Sequence, residues 1–123
     1  MHRAELQQAL TPEARQKAFS LWRRSIDAGA HDYADLMLQY PERNRLIELE
    51  VDTFIQAYLN GYMAAKGWIG EQPAVQSAFM LGRHLRDELR RLGVPIDSLN
   101  ANLGTLMDET LRSIVKLGLE AAK

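Results

Sequence analysis

Histidine, the side chain that moves protons most readily near neutral pH, occurs at only three positions, His2, His31 and His84. His31 stands four residues before Asp35 and His84 four before Glu88, so each pair has the spacing to share a helix face and offer two metal ligands. Such pairs are far more often solvated ion pairs worth about 0.2–0.5 kcal/mol. The Glu-x-x-His of di-iron helices is absent, because Ala28 and Leu81 occupy the positions where its Glu is required. Glu48, Glu50 and Asp52 alternate, which on a helix scatters them over different faces. His2 lies where we expect a frayed end. The chain has no phosphate-binding Gly-x-x-x-x-Gly-Lys, no Gly-x-Ser-x-Gly elbow and no His-Glu-x-x-His. Gly67-Trp68-Ile69-Gly70 is too sparse for a phosphate cradle. Cysteine is absent, which removes thiolate nucleophiles, disulfides and Cys-bound metals. We therefore expect no catalytic residue, no metal ligand and no cofactor.

What remains is the chemistry of contact. Phe54, Tyr58 and Tyr62 recur every four residues, so three rings form a row along one helix. Two of the three carry hydroxyls that need partners when buried, which suits an interface with one wet end. Val51 and Ile55 flank the row, and Trp68 follows in the next loop. Farther on, Arg83, Arg86 and Arg90 fall within roughly 60° of one another on a helical wheel, beside Val75 and Phe79. Arginine next to an aromatic ring grips carboxylates and is enriched at interface hot spots. The plainer alternatives are a row of core rings and a solvated arginine face whose stems cover apolar edges. The expected protein-binding set is Val51, Phe54, Ile55, Tyr58, Tyr62, Trp68, Phe79, Arg83, Arg86 and Arg90.

These residues must be positioned by helices, since strand signals are nearly missing. Thr11-Pro12-Glu13 is a helix start, with Thr as cap, Pro at the first helical position and an acid in the first turn. That helix should run to about Ala28 and stop at Gly29. A short helix follows over 31–39, with Tyr33, Leu36, Met37 and Tyr40 on one stripe. Pro41 opens a long helix of about 42–66, whose apolar side from Phe54 onward covers nearly half the circumference. After a Gly67–Pro73 loop, a helix over 74–92 should turn Val75, Ala78, Gly82, Leu85, Leu89 and Leu92 inward, with Ala78 and Gly82 admitting a close neighbour. Asp97 or Ser98 should cap a final helix over about 98–122. Its Leu103, Met107, Thr110, Ile114, Leu117 and Ala121 alternate four and three apart, as in a coiled-coil seam. Two such helices would each be about 37 Å long, long enough to leave apolar ends for a partner.

The 123 residues fit one domain, with 46% hydrophobic and 25% charged residues as in an average globular protein. The net charge of −1 lacks the basic footprint of a nucleic-acid or anionic-lipid binder. Residues 89–103 superficially resemble a helix-turn-helix, with Leu92-Gly93-Val94 as the turn. However, Glu88, Leu89 and Asn102 stand where apolar, small and buried residues are wanted. The would-be recognition helix carries Asp97, Asp108 and Glu109, and no basic residue before Arg112, so its charge opposes DNA. No stretch is apolar enough for a membrane span or a leader, and we expect a cytoplasmic location. The sequence thus predicts an all-α bundle of about five helices, dominated by two long ones and dimerising through one or both. In size and helicity it looks like small helical proteins that sequester a transcription regulator or a secreted substrate. The expected function is non-enzymatic binding of another protein. A secretion-type chaperone, a small-ligand-binding bundle and a weak DNA binder are the alternatives.

Overall fold

The computed structural model describes residues 3–99 and 102–122. It is all-helical: α1 (Arg3–Ala9), α2 (Pro12–Gly29), α3 (His31–Gln39), α4 (Arg43–Ala65), α5 (Glu71–Arg91) and α6 (Leu103–Ala121), with a 3₁₀ turn at Ile96–Ser98 between the last two. Among the described residues there are six α-helices rather than five. The added one, α1, buries none of its residues, which is why it left no apolar stripe in the sequence. His2 lies outside the described residues.

Local chemistry sets most boundaries. Thr11 is extended and its Oγ1 accepts the Ala14 N–H at 3.1 Å, with Pro12 following as the first helical residue. Gly29 is the last residue of α2 rather than a left-handed stop, since positive φ occurs only at Gly67 and Gly93 among the described residues. A Cβ there would lie 2.7 Å from Leu106 Cδ2, the mobile tip of a side chain that can move aside. Tyr40 is extended ahead of Pro41. Gly67 and Gly93 close α4 and α5 in the same way. The Trp68 and Val94 amides reach back to the Met63 and Leu89 carbonyls, each at 3.0 Å, while Gly67 and Gly93 bond Ala64 and Arg90. This is the Schellman arrangement, and it needs the left-handed residue that glycine supplies.

Two expectations need correction. The α5 helix starts at Glu71, three residues early, because Pro73 sits in its first turn, where no backbone donor is required. The α6 helix starts at Leu103, not at an Asp97 or Ser98 cap, because those residues are taken by the 3₁₀ turn and Leu99 is extended. Asn100 and Ala101, part of the expected helix, lie outside the described residues. There are consequently three long helices, of 23, 21 and 19 residues, and the longest spans about 35 Å.

The α6 helix packs against α4, α5 and α2. Leu103, Met107, Thr110 and Ile114 are buried as the seam predicts, whereas Leu117 is half-buried and Ala121 exposed. A second stripe, Leu111, Val115, Gly118 and Leu119, is buried as well. The seam is therefore part of the chain's own core. Thr110, its one polar member, returns its hydroxyl to the Leu106 carbonyl at 2.8 Å. Where α4 crosses α6 the contact is backbone on backbone. A Cβ on Gly61 would stand 1.9 Å from the Val115 carbonyl oxygen, and one on Gly118 would stand 2.0 Å from that of Tyr58.

Candidate interaction face and a buried carboxylate

The aromatic row does not form one face. Phe54 and Tyr58 are 2% and 4% exposed and belong to the core. Phe54 packs against Trp22 at 6.3 Å between ring centroids, and edge-on to Phe19 at 6.4 Å. Tyr62 is half-buried at the end of α4, where it meets Trp68 edge-on at 6.3 Å and lies under the Lys66 ammonium at 5.5 Å. A four-residue repeat drifts about 40° per step on a 3.6-residue helix, so eight residues carry the row from core to rim. Burial raises the Tyr58 phenol above its ordinary pKa, with Tyr62 adding to the effect. Val51 and Ile55 are half-buried on the next flank of α4. With Pro12, Arg15, Gln16, Phe19 and Phe54 they line an open groove of about 320 Å³, and Ile47 adds exposed apolar surface on the same helix.

The arginine stripe is partly neutralised from within. Arg86 Nη1 donates to Asp108 Oδ1 at 2.9 Å and to the Gly104 carbonyl at 3.2 Å. Gly82 leaves the room that Asp108 needs, since a Cβ there would lie 2.0 Å from its carboxylate. The close neighbour admitted at Gly82 is therefore a side chain, not a helix backbone. Arg90 clasps Asp97 with Nη2 on Oδ1 at 3.0 Å and Nε on Oδ2 at 3.1 Å, and reaches Asp87 at 3.0 Å. This bonding holds the Asp97 carboxyl below its usual range. Arg83 is exposed and in no ion pair among the described residues. The Asp108 counter-ion went unseen in the sequence because it is 22 residues from Arg86, whereas Asp87 and Asp97 stand only three and seven residues from Arg90.

Phe79 keeps its expected place outside. It is 46% exposed, and its neighbour Met80 is 73% exposed. Together with Arg83, His84 and Asp87 they line an open groove of about 520 Å³ along the outer side of α5. The Arg112 guanidinium lies 5.1 Å over the Phe79 ring, a cation–π contact that steadies the ring from the α6 side. Met80 was absent from the expected set, although its exposed neighbours mark it as the apolar residue on the solvent side of α5.

One polar site was missed outright. Glu48 and Asp52 are exposed, as their alternation implies, but Glu50 points into the core and is 2% exposed. Its Oε2 accepts the Trp22 indole N–H at 2.8 Å and the Tyr33 hydroxyl at 3.1 Å. Arg23 Nη2 lies 3.8 Å away from the same oxygen and 3.6 Å from Asp27. Arg23 Nη1 meets Met37 Sδ at 3.5 Å, while Nε and Nη2 are buried without a hydrogen-bond partner among the described residues. Burial raises the Glu50 pKa from 4.5 to about 7, against the opposing pull of Arg23, Trp22 and Tyr33. Burial, with the nearby Glu50 charge, also pushes the Tyr33 phenol well up. The available sign was an acid four residues after Leu46 and four before Phe54, on the stripe that faces inward.

No group of three or more His, Asp or Glu side chains that could hold a metal ion forms among the described residues, and His31 and His84 are both exposed. No helix among them is long and apolar enough to cross a membrane. Compared with known proteins, the chain matches no family model, no curated protein and no solved structure.

Proposed function

We propose that this chain is a non-enzymatic, cytoplasmic binding protein that captures another protein by a helical face, as a regulator or adaptor of the sequestering type. The observation that carries this reading is the outer side of α5, where Phe79 and Met80 are exposed between Arg83, His84 and the Arg112 guanidinium. An exposed apolar pair beside the Arg83 and Arg112 guanidiniums, with the nearby Asp87 carboxylate held by Arg90, suits an amphipathic helix whose apolar side carries flanking acids. Its apolar residues would supply contact area on Phe79 and Met80, and its carboxylates would bond Arg83 and orient the complex. Compared with the expected set, the weight moves from Phe54 and Tyr58 to Phe79, Met80 and Arg83.

A separate observation favours self-association of a six-helix bundle through the α2–α4 edge. Phe19 and Ile47 are exposed there beside half-buried Val51 and Ile55, a surface apolar enough to pair with its own copy.

The test of the capture face is affinity purification from the host lysate with the wild-type chain and with Met80→Asp and Arg83→Glu. One stoichiometric protein held by the wild type and lost by both variants supports the reading. Equal retention by all three places the contact elsewhere and refutes this face.

A further inference from the structure

Three helices meet at Glu50: α4 supplies the carboxylate, α2 supplies Trp22, Arg23 and Asp27, and α3 supplies Tyr33 and Met37. The arrangement around Arg23 is the informative part. Its Nη2 stands between two carboxylates, one buried and one largely exposed, at 3.8 and 3.6 Å, which is beyond hydrogen-bond length for either. Buried guanidinium donors without acceptors are costly, and a rotation of one side chain would satisfy them on either carboxylate. We propose that Glu50 is a charge-operated latch on α3, with Arg23 turning in toward Glu50 when that carboxyl is ionised and out toward Asp27 when it is protonated.

The surroundings leave few other charges to interfere. Arg23 and Asp27 of α2 and Tyr33 of α3 act on Glu50, the residues that α5 and α6 bury are all uncharged, and α1 buries nothing. The direction follows from linkage. The carboxyl binds its proton more tightly when buried under α3 than when reached by water, burial raising its pKa from the 4.5 of a hydrated carboxyl to about 7. Docking is therefore tighter with the carboxyl protonated, and that advantage is lost as the pH rises through about 7. Arg23 turning inward limits the loss without cancelling it. Between pH 6 and 8 the expected loosening of α3 is roughly tenfold.

The test is a titration of the intact chain by nuclear magnetic resonance from pH 5 to 9, following glutamate carboxyl carbons, the Trp22 indole N–H and the Arg23 Nε–H. One glutamate should titrate near 7, with the Trp22 and Arg23 signals moving at the same midpoint and α3 amide protection falling roughly tenfold between pH 6 and 8. Asp27→Asn, a change at an exposed residue, should lower that midpoint, because Asp27 disfavours the Glu50 charge and competes for the guanidinium. Glu50→Gln should abolish the step at Trp22. All glutamates titrating near their ordinary value, an Arg23 signal indifferent to Asp27→Asn, or a Trp22 step that survives in Glu50→Gln would each overturn the latch. Should Glu50→Gln not fold, the wild-type and Asp27→Asn titrations decide it.

Discussion

At the scale of single residues, Glu50 gives the sharpest expectations for stability. The folded carboxyl is raised to about 7, so the chain binds more protons folded than unfolded between about 4.5 and 7. Its contribution to stability is complete below the unfolded value and fades as the pH rises through the folded one. Urea unfolding should give a chain more stable at pH 6 than at pH 8 by roughly 1 kcal/mol. Tyr33→Phe removes one of the two hydrogen bonds to Oε2. It should destabilise by about 1 kcal/mol and move the midpoint of the pH dependence upward, because the Tyr33 hydroxyl favours the ionised carboxylate. A Tyr33→Phe chain with unchanged stability and midpoint would mean that the bond carries nothing. Tyr58 belongs to the same scale. It is core, so Tyr58→Glu should unfold the chain by circular dichroism rather than yield a folded monomer, because an unpaired charge would be left inside.

At the scale of helices, glycine positions separate close packing from turn geometry. Gly61→Ala or Gly118→Ala drives a methyl group into a carbonyl of the opposing helix. Backbone cannot step aside as a side chain can, so each change should cost about 1–3 kcal/mol or more, seen as a drop in thermal midpoint. Gly104→Ala is the control. Its Cβ would meet Arg86 at an ordinary 3.5 Å, and the helix gains from the exchange, so stability should hold or rise slightly. Were all three changes equally harmless, the α4–α6 crossing would be looser than described. This contrast also shows what the sequence made legible. Thr11-Pro12, Gly67 and Gly93 act within their own turns, and their helix ends were readable to within a few residues. The roles of Gly61, Gly118 and Gly82 depend on partners more than 25 residues away, as do the ends of the α6 seam. The sequence left open whether α6 would be covered by its own chain or by a second copy, and α2, α4 and α5 all pack against it. Of the candidate site, Phe79 and Arg83 stand outside, while Arg86 is drawn to Asp108 by the packing of α5 on α6 and Arg90 to Asp97 in the 3₁₀ turn that follows α5.

At the scale of the whole molecule, the α5 face and the α2–α4 edge lie on different helices, which lets their roles be separated. The outer side of α5 carries Met80 and Arg83, and the α2–α4 edge carries Phe19 and Ile47. Met80 and Ile47 are exposed enough that an aspartate at either leaves the core intact, so both variants should keep the wild-type helical spectrum. If the α5 face captures the partner and the α2–α4 edge pairs two copies, light scattering should show dimers for Met80→Asp and monomers for Ile47→Asp. Partner capture should follow the opposite pattern, lost in Met80→Asp and kept in Ile47→Asp. Capture should also weaken with added salt, because Arg83 is exposed and its contact with an acidic helix is screened within about 8–10 Å. The outcome that breaks this division is one variant removing both properties. Capture would then require the dimer, and the binding surface would be assembled across two copies of the chain.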